Sequence, residues 1–148
     1  MFFLLLTDLS VSDPGTKNNE FNATLADLPP MHTLYVEDNP DVRELICWML
    51  EDEGLQVVAC SNAQDAESEF ALRRFDILIT DVSLPSMPGT ELARRLQKDR
   101  PDLWVIFCSG YPMTHGLQAW GSRARSLSKP FDVEELQQLL AECRSTLS

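Results

Sequence analysis

From residue 31 the chain alternates, five times over, between a short apolar run and a helical stretch, and few folds accommodate that order. The first run, His32 to Val36, leads into a helical pattern from Pro40 to Glu53. There Val42, Leu45, Ile46, Met49 and Leu50 recur at the spacing of one helix face. Pro40 suits a first helical position and Gly54 a stop. Gln56 to Cys60 is a second predicted strand. Ala63 to Leu72 is a second helix, with Ser61 or Asn62 as its cap. Phe75 to Thr80 is apolar almost without interruption, the mark of a strand buried on both faces. Thr90 to Lys98 reads as a third helix, Leu103 to Cys108 as another buried strand, and Ala124 to Ser128 as a fifth. Residues 113–121, with Gly116 inside and Gly121 at the end, give at best a weak helix. The last helix, Asp132 to Leu147, opens on a capping-box pair, Asp132 and Glu135. Its apolar face is Val133, Leu136, Leu139, Leu140 and Cys143. Strands that alternate with helices call for an α/β fold, a doubly wound five-stranded parallel sheet with helices on both faces.

In such a sheet ligands bind beyond the carboxyl ends of the strands. That rule selects residues far apart in sequence. Glu37 and Asp38 end the first strand, Asp81 the third, Ser109 the fourth and Lys129 the fifth. Three carboxylates at one edge repel one another unless a cation joins them. A hard divalent ion fits, and Mg²⁺ prefers oxygen ligands while keeping several waters. Asp38 and Asp81 would ligate it, Glu37 directly or through water, and the Ser83 backbone carbonyl would add a further oxygen. With the metal bound, Asp81 is a nucleophile suited to phosphorus, since carboxylates form acyl phosphates. Lys129 and the Ser109 hydroxyl would hold two of the phosphoryl oxygens.

These residues resemble the response regulator receiver domain of two-component signalling. The resemblance rests on Glu37-Asp38, the run Asp81-Val-Ser-Leu-Pro85-Ser-Met-Pro-Gly89, Ser109-Gly110 and Lys129-Pro130-Phe131, and it extends from residue 32 to about 147. It implies the flavodoxin-like strand order 2-1-3-4-5 and a cis peptide at Lys129-Pro130. It also implies a phosphoryl group received from a sensor histidine kinase or a His-containing phosphotransfer protein, and an unknown downstream protein as the receiver of the signal. Any catalysis would be limited to self-catalysed phosphoryl transfer and slow autodephosphorylation. The sequence departs from the family where an aromatic commonly stands three residues before the lysine, since Ser126 occupies that place. Tyr111, two residues after Ser109, is a substitute or a pocket residue. With 148 residues, the chain is expected to be a receiver of the stand-alone kind, without an output domain.

Plainer roles stand beside these. A strand-end acid such as Asp81 caps loops. Asp38 could cap the helix at Pro40, and Glu37 could be partly structural. Ser109 could cap a turn, and Lys129 could be a surface lysine. Gly89 and Pro85 shape the loop. Two other functions compete with the phosphorylation switch. One is a receiver that docks a partner without phosphate, supported by Ser126. The other is an Asp-nucleophile phosphatase of the haloacid-dehalogenase type, which would want a second Asp where Ser83 stands. A nucleotide-binding sheet would need a G-x-G-x-x-G after the first strand, which is missing.

The net charge of −11 over 148 residues disfavours direct contact with nucleic acid or an anionic membrane. The arginine pairs Arg73-Arg74 and Arg94-Arg95 are expected on solvated helix faces. Cys47, Cys60, Cys108 and Cys143 form no C-x-x-C pair and are expected as reduced, mostly buried thiols, in keeping with a cytoplasmic protein. His32 and His115 lack ligand-spaced neighbours. Trp48 and Trp104 are expected in part of the core, and Trp120 near the surface. The apolar start, Met1 to Leu6, is too short for a membrane span and lacks the basic stretch of a secretory signal. Residues 1–30 are expected to be an extension without fixed structure and 31–148 the domain, with Met1 and Met31 both open as translation starts. A monomer or weak dimer is expected.

Overall fold

The computed structural model describes residues 30–111 and 116–147. The expected extension over residues 1–29, His115 and the start of the weak helix lie outside the described residues. The elements in chain order are β1 (His32–Val36), α1 (Pro40–Asp52), β2 (Gln56–Cys60), α2 (Ala63–Leu72), β3 (Ile77–Asp81), α3 (Gly89–Asp99), β4 (Trp104–Ser109), β5 (Ala124–Ser128) and α4 (Val133–Leu147). A 3₁₀ turn, Leu117–Trp120, precedes β5. The five strands form one parallel sheet in the order β2-β1-β3-β4-β5, as the resemblance implied.

Two cores lie on the two sheet faces. One joins Tyr35, Ile79, Ile106 and Leu127 to Ile46 and Leu50 of α1 and to Leu136, Leu140 and Cys143 of α4. The other joins Leu34, Leu78, Val105 and Phe107 to Ala63 and Ala66 of α2 and to Leu92, Ala93 and Leu96 of α3. The central strands are covered on both sides, so their unbroken apolar runs have buried surface to fill. Side-chain contacts between β4, β5 and α4 clamp the β5 edge. The Trp104 indole N–H donates to Thr146 at 2.8 Å, and the Arg125 guanidinium lies 5.3 Å from the Trp104 ring while pairing with Glu142 at 2.9 Å.

Helix starts follow local chemistry. The Asn39 side chain accepts from the N–H groups of Asp41 and Val42 at 2.9 and 3.1 Å. Asn62 caps α2 through the Asp65 N–H at 2.7 Å, and Asp132 accepts from Glu135 N–H at 2.7 Å. The 3₁₀ turn takes the place of the expected weak helix. Gly116 and Gly121 bracket it with φ of 84° and 86°, a left-handed backbone that no helix continues through.

Three apolar residues expected in the core are exposed. Leu45 is 59% exposed and Trp48 66%, because the sheet covers only the stripe through Ile46, Leu50 and parts of Val42 and Met49. Leu45 lies about 100° around the helix from Ile46, and Trp48 about 200°. Val133, 45% exposed, precedes the turn at which α4 reaches the sheet. Trp104 is buried, as expected. Cys60, Cys108 and Cys143 are buried and Cys47 is half-buried, all four as free thiols. Arg73 and Arg74 lie just past the end of α2 rather than within it. Among the described residues no helix is long and apolar enough to cross a membrane.

The stripe geometry makes a sharp contrast within one helix. Leu50→Ala should cost about 2–5 kcal/mol of unfolding free energy, the range for a leucine truncated in a close-packed core. Leu45→Ala should stay within about 0.5 kcal/mol of wild type, as expected for an exposed position. Urea unfolding of the two variants measures both, and equal losses would contradict the placement of α1.

Candidate functional site

The carboxyl ends of β1, β3, β4 and β5 meet where the sheet order places them together. Glu37 follows β1 directly and is 2% exposed, with its N–H donating to Cys60 O of the neighbouring strand at 3.0 Å. Asp38 is exposed and Asp81 half-buried. Oxygens of Glu37, Asp38 and Asp81 all lie within 4.8 Å of one another. The grouping expected from the sequence is therefore present in space.

Lys129 holds the cluster together. Its ammonium donates to Glu37 Oε1 at 2.7 Å and to Asp81 Oδ2 at 3.1 Å. Its side chain is 24% exposed, against 3% for Glu37 and 15% for Asp81, so these are short ion pairs largely screened from bulk water. Burial by itself would lower the Lys129 pKa. The hydrogen bonds from both carboxylates outweigh that and hold the ammonium above the ordinary lysine range. The lysine is thus not a surface residue, and Glu37 has a structural partner. The Lys129-Pro130 peptide is cis, as the resemblance implied.

Both oxygens of Asp81 are engaged. Oδ2 faces Lys129, and Oδ1 accepts the Ser83 N–H at 3.2 Å, which puts the Ser83 backbone beside the acidic cluster. The Thr80 hydroxyl donates to Asp81 O at 3.0 Å, and Gly89 N–H donates to Val82 O at 2.8 Å, closing the loop after β3. Gly89 is there for space. A Cβ on it would overlap the Asp81 carbonyl oxygen and come within 2.9 Å of Thr80 Oγ1. Ser109 ends β4 and faces Ser128 in register, while Asp81 faces Cys108. The Ser109 hydroxyl oxygen accepts Tyr111 N–H at 3.0 Å, so it also shapes the following turn. Tyr111 is 82% exposed.

Three supporting residues escaped the sequence reading. Asn39 is the cap of α1, a role considered for Asp38, and its N–H also donates to Glu37 Oε2 at 3.1 Å. The Asn-Pro pair at 39–40 was the available signal. Arg43 Nη1 donates to Glu37 O at 2.8 Å, for which the sequence held no signal. Tyr35 lies under the site, buried, with its hydroxyl unpaired among the described residues. Burial first, then the charges of Glu37, Cys108 and Asp81, push its phenol far above the ordinary range. Cys108, beside Asp81, is pushed up to about 12, mainly by burial, so it is an inert thiol at neutral pH.

The altered position Ser126 stands opposite Phe107 of β4 in register. An aromatic does cover Phe107, but it comes from the 3₁₀ turn. The Trp120 ring lies edge-on at 5.1 Å, and the Arg94 guanidinium of α3 sits 5.0 Å from the Trp120 ring. Trp120 is thereby half-buried rather than free at the surface.

The donor set suits a hard divalent cation. It consists of carboxylate oxygens close enough to share one ion, with a backbone turn beside them and no His or Cys ligand in the group. Two predictions follow from this geometry. Lys129→Met leaves Glu37 buried without its cation, and should lower unfolding free energy by about 1–3 kcal/mol in metal-free buffer. Denaturation with and without Mg²⁺ measures it, and the loss should shrink when Mg²⁺ is present. Gly89→Ala should cost about 1–3 kcal/mol by overpacking against Asp81, seen as a lower urea midpoint. An unchanged midpoint would show that the loop yields freely.

Comparison with known proteins agrees with this geometry. The family model described as "Response regulator receiver domain" matches residues 33–141. The response regulator receiver protein CpdR of Brucella abortus is 34% identical over 105 residues, covering 70% of this chain and 88% of that one. The sensor protein TorS of Escherichia coli is 35% identical over 117 residues, which cover 77% of this chain but only 13% of TorS. The response regulator TrrA of Thermotoga maritima, solved in complex with Mg(2+)-BeF, superposes with a TM-score of 0.69 at 26% identity, over 76% of this chain and 98% of that one. With a family match over most of its described length, this chain belongs to the response regulator receiver family.

Proposed function

We propose that this chain is a phosphorylation switch in which Asp81 accepts a phosphoryl group with Mg²⁺ at the Glu37, Asp38 and Asp81 cluster. The observation that carries the reading is the position of Lys129, whose ammonium bridges Glu37 and Asp81 at 2.7 and 3.1 Å. A cation so placed fixes the Asp81 carboxylate for attack and can turn toward a phosphoryl oxygen when one arrives. The Ser83 N–H, on the other oxygen, limits rotation of the carboxylate. Asp38, the most exposed of the three acids, is open to a metal ion from solvent. Mg²⁺, when bound by these acids and the Ser83 carbonyl, supplies charge neutralisation for the incoming group. An Asp81 oxygen forms its bond to phosphorus as the donor's bond to phosphorus breaks. Ser109 donates to a second oxygen of the transferred group.

The donor in this reading is a sensor histidine kinase or a His-containing phosphotransfer protein of the cytoplasm, and the folding unit is residues 31–148. TrrA was solved with Mg(2+)-BeF, and the similarity of that fold supports an equivalent use of this acidic cluster. The phosphorylated form shifts a conformational equilibrium and so changes affinity for a downstream protein.

Incubation with acetyl phosphate and Mg²⁺ tests this. The intact protein should gain about 80 Da, roughly the mass of HPO₃ that an acyl phosphate adds. The gain should vanish with EDTA and in Asp81→Asn. No mass gain in the wild type would sink the proposal. Ser126 favours one rival, a receiver that docks its partner without phosphate, and an Asp81→Asn variant that keeps full partner binding would support it.

A further inference from the structure

Side chains alternate between the two faces of a strand, so Tyr35 and Glu37 point to the same side of the sheet. Glu37 continues the line of β1, since its N–H still pairs with Cys60 O at 3.0 Å. The same parity sets Asp81 above Ile79 and Lys129 above Leu127, with Cys108 opposite Asp81 in register. Tyr35, Ile79, Cys108 and Leu127 all belong to the core under α1 and α4. Tyr35 therefore occupies the layer beneath Glu37, a strand step of about 6.5 Å below it.

That layer holds a misfit. Tyr35 is 1% exposed, and its hydroxyl has no hydrogen-bond partner among the described residues. Phenylalanine would fill the same space without burying a donor, so a tyrosine here is costly unless its O–H is used in another state. Burial, then the charges of Glu37, Cys108 and Asp81, holds the phenol far above its ordinary pKa, so it is a donor at neutral pH.

The layer above holds an acceptor with a single long-range donor. Glu37 Oε2 accepts the Asn39 N–H at 3.1 Å, a local bond within the start of α1. Glu37 Oε1 accepts the Lys129 ammonium at 2.7 Å. In the phosphorylation switch proposed above, that ammonium turns toward a phosphoryl oxygen. Oε1 of a residue only 2% exposed then loses its donor, which a buried carboxylate tolerates poorly. An unpaired donor and an acceptor that gives up its partner thus stand in adjacent layers of one sheet face.

We propose that Tyr35 is a positioning residue whose hydroxyl donates to Glu37 Oε1 when Lys129 turns from that oxygen to a phosphoryl group on Asp81. The inference rests on the phosphoryl-transfer reading and adds what frees the lysine to move. Glu37 keeps a donor in both states, the ammonium at rest and the phenol afterwards. Tyr35 acts through Glu37 alone.

Protein labelled with ¹³Cζ-tyrosine tests this by NMR. The chain has two tyrosines, Tyr35 and Tyr111, and Tyr111→Phe assigns their signals. Mg²⁺ with beryllofluoride, a stand-in for the phosphoryl group, should move the wild-type Tyr35 signal downfield, because donation to a carboxylate draws the phenol toward phenolate. Lys129→Met should move it the same way with no ligand present, since Glu37 has then lost its ammonium by mutation. Tyr35→Phe should bind Mg²⁺-beryllofluoride about tenfold more weakly, the effect of one hydrogen bond to a charged group. Its metal-free urea midpoint should be no lower than that of the wild type. A Tyr35 signal unmoved in either protein would overturn the proposal, as would equal beryllofluoride affinities in Tyr35→Phe and the wild type. A lowered urea midpoint in Tyr35→Phe would also overturn it, since the hydroxyl would then be paired already at rest. Wild-type protein that binds no beryllofluoride and gains no mass with acetyl phosphate would sink the phosphoryl-transfer reading, and this proposal with it.

Discussion

Glu37 is 2% exposed, and a carboxylate that dry is tolerable only beside a cation. Lys129, ninety-two residues away in sequence, is that cation. The pair sets what the rest of the fold must do. β1 and β5 have to end at the same edge although β3 and β4 lie between them, which the order β2-β1-β3-β4-β5 achieves. The loop after β3 must bring Asp81 to the same ammonium, and Gly89 leaves room for the loop to pass close to its backbone. Three carboxylates and one ammonium leave a deficit of two positive charges if all are ionised. A divalent cation corrects such a deficit, and a lone water or a second lysine would not.

Much of this was legible because it depends on sequence order and strand ends. The apolar runs fixed the strands, four of the five helical patterns became helices, and the rule that parallel strands present ligands at their carboxyl ends gathered Glu37, Asp38, Asp81, Ser109 and Lys129 from four separate strand ends. Other features needed coordinates. The stripe on α1 looked five residues wide, but the sheet covers a narrower arc, so Leu45 lies outside it. Arg43 on the Glu37 carbonyl is a long side chain reaching back over six residues, a contact that no periodicity predicts. Arg100 joins Arg73 and Arg74 only because α2 and α3 end side by side.

The Ser126 departure takes on a physical sense in the fold. A small residue opposite Phe107 leaves space on that sheet face, and Trp120 occupies it from outside β5. The aromatic is anchored by Arg94 of α3 instead of by the strand. Because the 3₁₀ turn that carries Trp120 is bracketed by two left-handed glycines, its backbone is set by conformations that only glycine adopts readily. Trp120 therefore joins the backbone that precedes β5 to α3 through Arg94, without a side chain of β5.

The two ends of the sheet divide the electrostatics between them. The carboxyl edge concentrates acids around one lysine, whereas the opposite edge collects arginines around Leu72. Helices in a doubly wound sheet run antiparallel to the strands, so the helix C-termini, with their partial negative charge, all point to the second edge. Arginines there are favoured by that field, and this offsets part of the entropy of holding them together near an exposed leucine. Acidic side chains at the carboxyl edge lie near helix N-termini and gain from the same dipoles with opposite sign, Asp41 in the first turn of α1 and Glu91 in that of α3 among them. The sign separation that makes one edge fit for a metal ion thus follows from the direction in which the helices run over the sheet.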